Sequence, residues 1–315
     1  VKANLDTYSW TFGCEHEWAD WDQTIQLPNG WGIDRNDVTM VNSDGIAVDP
    51  KGISWKFGGE LNSPPTSAAF DQGLLVENIR SWLCLHGKPT PEANYRSNLH
   101  VHVRVPGLRD DLDALKKLAA FGHFAMPILL LMIEEIPKPD KRDFHDDSGG
   151  FKGAMRRYRR RLVSHHTVIT GMRLSKQLAA PTVTEFFAAE CPSDRQGLPL
   201  WHLAPRHAVN LRHLREATET IEFRHFPGST DPVEVEQACK WCRHYLDVAL
   251  GGGTHAEKID KLSKSWREVF SKLPLPWFRE YDHSLEERYR LTCHDGTLTR
   301  AQIEANIAKI QRGEL

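Results

Sequence analysis

No stretch of this 315-residue chain stays apolar long enough to cross a bilayer. The longest apolar run, Ala125 to Ile133, is interrupted by Pro127, whereas a spanning helix needs about 20 such residues. Cysteine is sparse. Six thiols, at 14, 84, 191, 239, 242 and 293, lack the density of a small secreted disulfide scaffold. Cys239 and Cys242 form a C-x-x-C, but a second pair is missing and VEVEQACKWCRHYL reads as amphipathic helix. Two helix-face thiols are expected there, not a zinc or redox site. Excess charge is small as well: a net charge of −2 and a pI near 6.8 argue against a general nucleic-acid binder. No signal peptide is evident. A cytoplasmic, reducing compartment is the expectation.

Nucleotide-binding signatures are missing too. There is no G-x-x-x-x-G-K-[ST], no G-x-G-x-x-G and no kinase motif set. Any ATP would have to be held through metals and arginines. Arg206 and Arg212, in PRHAVNLRHL, are the first candidates, with surface positions on a helix as the alternative. Arg156, Arg157, Arg159, Arg160 and Arg161 make one basic patch. It reads either as a solvated helix face or as a contact for an anionic acceptor.

The first 105 residues are strand-rich. Tyr8 to Trp18 alternates aromatic and polar residues at period two. Asp44-Gly45 sits between two short β-like runs as a hairpin turn. ISWKFGGELNSPP reads as one strand stopped by Pro64-Pro65. Thr66 or Ser67 is expected to cap a helix through Phe70, Leu74, Leu75, Ile79, Trp82 and Leu83. NLHVHVRVP is an alternating strand, and a helix follows with Leu112, Leu115, Leu118 and Ala119 on one face. Residues 137–153 read as a loop, a candidate lid. Glu219 to Gly228 is the last convincing strand. Asp231-Pro232-x-Glu234 opens a helix with a capping box, and Thr299-x-x-Gln302 opens the last one. Without an internal repeat or regular βαβ alternation, the order implies an α+β fold with a mainly antiparallel sheet and helices on its outer face. The expected division is a catalytic domain over residues 1–273 and a helical extension over 274–315.

Four of these strands carry polar side chains at period two, which puts them on one face. Glu15 and Glu17 project together, as do His100 and His102, and as do Glu222 and Arg224 with His225 opposite. Glu60 follows Gly58 and Gly59. Paired carboxylates repel unless a cation or arginine lies between them. Oxygen donors suit Mg²⁺, and an added imidazole leans toward tolerance of Mn²⁺. Divalent ions and arginine together suit phosphoryl transfer.

GCEHE (13–17), GGELNSPP (58–65), NLHVHV (98–103), RHAVNL (206–211) and TIEFRHFPGS (220–229), in this order, resemble the amidoligase family. That family is a branch of the glutamine-synthetase-like carboxylate–amine ligases. The resemblance implies a curved antiparallel sheet holding two or three divalent ions, with ATP as co-substrate and Mg²⁺ as cofactor, Mn²⁺ substituting. It assigns Glu15, His100 and Glu222 to one metal site and Glu17 and Glu60 to a second. It assigns His102 to a phosphate, and Arg224, Arg206 and Arg212 to the transferring phosphoryl group. Asp49 is a candidate for a further carboxylate. The implied reaction joins a small-molecule or peptide carboxylate to an amine through an acyl phosphate. Two alternatives stand beside it: a metal-dependent hydrolase built on the same cluster, since H-x-H also opens amidohydrolase sites, and a non-catalytic nucleotide-binding module. Substrate identity and oligomeric state are not inherited with the motifs.

Overall fold

Phe12, Cys14, His16 and Trp18 alternate with Gly13, Glu15 and Glu17, so strand β1 (Thr11–Ala19) has two chemically different faces. The computed structural model describes residues 2–19, 21–34, 47–48, 54–55, 58–86, 91, 93, 97–131, 176–189, 207–254, 257–258 and 261–262. β1 lies inside a six-stranded sheet with β2 (Gly32–Asp34), β5 (Gly58–Asn62), β6 (Asn98–Arg104), β7 (Val209–Asn210) and β8 (Thr220–Pro227). The order is β2-β5-β1-β6-β8-β7, with every pairing antiparallel. β3 (Ala47–Val48) and β4 (Ser54–Trp55) form a separate two-stranded sheet.

The helices are α1 (Ala69–His86), α2 (Leu112–Leu131), α3 (Val183–Ala188) and α4 (Pro232–Leu250). The fold is therefore α+β, with a multi-stranded antiparallel sheet and peripheral helices. The apolar sheet face carries Phe12, Leu99, Val101, Val103, Ile221 and Phe223, all fully buried. Each such side chain contributes about 1.5–3 kcal/mol by leaving water. α1 and α4 cover this face. Cys14 of β1 meets Cys239 of α4 at 3.6 Å, and both thiols are free and buried, as is Cys242. Gly73 sets how close the two helices come. A Cβ there would lie 2.8 Å from the Pro232 carbonyl oxygen, inside contact distance.

Several local expectations change. Thr66 does not cap α1. It forms a β-bridge to Phe12, accepting from its N–H at 2.7 Å and donating to its carbonyl at 2.8 Å. α1 buries Gln72, Gly73, Val76, Ile79 and Leu83, while Phe70 and Leu74 face solvent. The stripe read from the larger apolar residues is rotated, because the contact with α4 requires small side chains. ISWKFGGELNSPP is two strands in two sheets, β4 and β5, not one. Asp231 does cap α4, accepting from Val233 N–H at 2.8 Å. Glu234 does not complete the reciprocal box in the expected way, since its carboxylate accepts from the Ser229 hydroxyl while that oxygen accepts from Asp231 N–H.

The Asp44-Gly45 turn, Asp49, the 137–153 loop, Arg156 to Arg161, Thr299 and the boundary at 273/274 lie outside the described residues. Among the described residues no helix is long and apolar enough to cross a membrane.

Candidate metal centre

Antiparallel pairing aligns side chains of neighbouring strands on one face. Glu15 stands opposite Asn62 of β5 on one side and His100 of β6 on the other. Glu17 stands opposite Glu60, which in turn faces Asp34 of β2. His102 pairs with Glu222, and Glu222 with Asn210 of β7. The polar face thus collects charged groups from neighbouring strands at matching heights. One irregularity falls here. Leu99 pairs with Phe226 but Val101 with Phe223, so Arg224 and His225 together oppose His100. Such a bulge locally re-aims side chains. It leaves Arg224 beside Glu222, while the His225 ring is buried among Phe223 and Phe226.

The side chains converge. His100 Nδ1 lies 2.7 Å from Glu15 Oε2 and 3.5 Å from Glu222 Oε1, and its Nε2 is 4.0 Å from Glu17 Oε1. His102 Nε2 is 2.9 Å from Glu15 Oε1. Arg224 donates to Glu222. Glu17 is held from the side by Asn98, whose backbone N–H and Nδ2 donate to it at 3.0 and 2.6 Å. Asn62 Nδ2 donates to Glu60 at 3.2 Å.

Two donor groups emerge, with ligand atoms within 4.8 Å of one another: Glu15, Glu60 and His100, and Glu15, His102 and Glu222. Glu15 belongs to both. A carboxylate has two oxygens and can serve two cations, so Glu15 is a potential ligand common to both donor groups. Carboxylate oxygens with one imidazole in each group are potential divalent-cation ligands. His102, which the family resemblance assigns to a phosphate, lies within a donor group.

Charge balance explains why so many acids can be buried here. Burial pushes the Glu15 carboxyl up, but hydrogen bonds from His100 and His102 outweigh it and hold Glu15 well below the ordinary carboxylate range. Burial likewise raises Glu222, and His213, His100 and Arg224 together bring it far down. For His100, burial and Arg224 favour the neutral ring, yet Glu15 and Glu222 prevail and its pKa is raised. His100, His213 and Arg224 thus hold positive charge where a cation would otherwise sit.

Two site residues were given no role by the sequence, although Asn210 lies within RHAVNL. His213, on a 3-10 turn at Arg212–Arg215, places Nε2 3.0 Å from Glu222 Oε2 and Nδ1 2.7 Å from Glu216. Asn210 Nδ2 donates to Glu222 at 2.7 Å. The i, i+3 spacing of Asn210 and His213 was the available clue. Arg212 begins that turn, and among the described residues its guanidinium makes no hydrogen bond or ion pair. Arg206 lies outside the described residues.

His213 gives a pH prediction for the metal-free protein. Burial lowers its pKa, but Glu222 and Glu216 raise it to about 9. Its folded pKa lies above the unfolded value near 6.5. The resulting stability is fully present below pH 6.5 and is lost as pH rises toward 9. With a chelator present, the unfolding free energy should fall across this window by at most about 3 kcal/mol. His100 contributes in the same direction. His213→Asn should flatten the curve in denaturant titrations at a series of pH values. Parallel curves for variant and wild type would show that the imidazole is not the source.

Fold and site together define an α+β protein with a His- and Glu-rich centre suited to divalent cations. No family model matches the chain, and no curated protein matches it. Among solved structures it is similar to a bifunctional glutathione synthetase from Pasteurella multocida, at 13% identity and a TM-score of 0.43. That match covers 98% of this chain and 48% of the other, so this chain spans about half that protein's length. At this level the likeness bears on neither mechanism nor substrate.

Proposed function

We propose that this protein is a divalent-cation-dependent enzyme and, more finely, an ATP-dependent carboxylate–amine ligase. The observation that carries the reading is the pair of donor groups sharing Glu15, with Arg224 beside them on the same sheet face. The motif order from GCEHE to TIEFRHFPGS supports the finer assignment.

Bound divalent ions would neutralise polyphosphate and polarise the phosphoryl oxygens. The carboxylates of Glu15, Glu60 and Glu222, with His100 and His102, would hold those ions, and Glu17 would help. Asn98, Asn62, Asn210 and His213 fix the orientation of the carboxylates from outside. Arg224 would stabilise negative charge that builds up on a transferring phosphoryl group, with Arg206 and Arg212 as further candidates. A substrate carboxylate oxygen displaces ADP from the γ-phosphorus, giving an acyl phosphate. An amine then attacks the acyl carbon, and amide, phosphate and a proton leave. The chain's part is positioning and charge neutralisation.

One imidazole in each donor group is the feature that favours a second reading, a metal-dependent hydrolase, because that donor mix also suits Zn²⁺. A coupled ADP assay over a panel of carboxylates and amines separates the two. The ligase releases ADP only with Mg²⁺ and both substrates present. Cleavage of amide or ester substrates without ATP, and no ADP from any pair, would decide for the hydrolase.

A further inference from the structure

Gly13 stands inside β1 without the usual structural reasons for a glycine. Positive φ values fall at Gly30, Gly58, Gly107 and Gly253 but not at Gly13, so its backbone accepts an L side chain. No bulge requires it, because β1 pairs with β6 without interruption from Thr11 to His16. Packing does not require it either. A Cβ at Gly73 or Gly228 would come within 2.8 or 2.4 Å of a neighbour, but a Cβ at Gly13 would meet no atom of the described residues within 4 Å. A glycine in a strand interior weakens the strand, and its remaining use is to let a ligand or another backbone come close. The space over Gly13 lies on the side of the metal centre. Alternation puts Gly13 on the face of Glu15 and Glu17. It stands opposite His102, which faces Glu222 on its other side. Gly13 therefore borders the donor group of Glu15, His102 and Glu222. Exposure points the same way. The side chains of His100, Glu17 and Glu222 keep 3%, 3% and 1% of their surface, whereas Glu15 and His102, which flank Gly13, keep 22% and 14%. One row further out, opposite Thr11, Arg104 is 49% exposed. The centre thus meets solvent on the Gly13 side.

We propose, on the cation reading given above, that Gly13 is a specificity-determining position. An anionic group held by cations at Glu15, His102 and Glu222 carries its substituent out over Gly13. The side chain at position 13 then sets how bulky that substituent can be. Hydrogen, the smallest side chain, leaves room for a ring, and each added carbon narrows the exit. Gly13 supplies no ligand atom, so its replacement separates the size of the accepted molecule from the binding of the cations.

The test is calorimetry on the full chain loaded with Mn²⁺. Two probes share one anionic head and differ in bulk, methylphosphonate and phenylphosphonate. Wild type should bind both. Gly13→Leu should take up Mn²⁺ as wild type does and keep methylphosphonate, but bind phenylphosphonate at least about tenfold more weakly, the order of effect of a side chain forced into filled space. Gly13→Ala, the milder change, should show a smaller loss of the same selectivity. Circular dichroism confirms that both variants are folded. With Mn²⁺ uptake intact, three outcomes would overturn the proposal and leave the cation reading standing: wild-type affinity of Gly13→Leu for phenylphosphonate, equal loss of both probes, or no binding of phenylphosphonate to wild type. No Mn²⁺ uptake by wild type would overturn the cation reading itself, and the role of Gly13 with it.

Discussion

Replacing Glu15 by Gln is expected to eliminate cation binding at both donor groups at once. Glu15 is common to the two, so one neutral, nearly isosteric change removes a ligand from each. Loss of an outer-shell partner alone usually costs about 10–100-fold in metal affinity, and loss of a direct ligand should exceed that. Mn²⁺ titration followed by calorimetry or electron paramagnetic resonance reads this without requiring turnover. Wild type should take up two ions. Glu60→Gln should weaken one, His102→Asn the other, and Glu15→Gln both by more than about 100-fold. Activity in the ADP assay should vanish with Glu15→Gln. Two Mn²⁺ ions bound by Glu15→Gln with wild-type affinity would end the shared-ligand reading. Proton release offers a cross-check. His100 is held toward its charged form by Glu15 and Glu222, so cation uptake should expel protons. The calorimetric heat should then depend on the ionisation enthalpy of the buffer.

The second large effect is on stability. Glu222 is fully buried and faces Arg224, His213 at 3.0 Å, Asn210 at 2.7 Å and His100 at 3.5 Å. Glu222→Leu fills the space but leaves the cations without their counter-charge. Breaking a buried ion pair from one side typically costs about 3–5 kcal/mol, so a loss of that size is expected in metal-free urea unfolding. The His213 pKa should fall from about 9 toward its ordinary value in the same variant. Glu219 is the control. It pairs with Arg104 and Arg109 at 3.0 and 2.9 Å, but those arginines stand largely in water. Exposed pairs are screened and contribute little, so Glu219→Gln should leave the unfolding midpoint close to wild type. Equal losses for the two variants would mean that the buried network is not what holds this end of the sheet.

Much of the site was legible along the chain because strand geometry is local. Glu15 with Glu17, His100 with His102, and Glu222 with Arg224 share a face by period two alone. Residues acting across a turn were not legible. His213 and Asn210 reach Glu222 only because β7 and the following 3-10 turn fold back along β8. Helix α1 shows the same limit in the core. Its larger apolar residues suggested one face, but the close approach to Pro232 buried the face bearing Gly73 and Val76.

The sequence by itself determined the two faces of β1, β6 and β8 and the kinds of ligand they carry, since each depends on alternation between near neighbours. Only the tertiary structure decided which carboxylate is common to both donor groups, which histidine meets which acid, and how closely α1 approaches α4. Those outcomes rest on strand register, a one-residue bulge and the spacing of two helices. They are set by packing between segments as much as two hundred residues apart, as where Cys14 meets Cys239, and no local pattern encodes them.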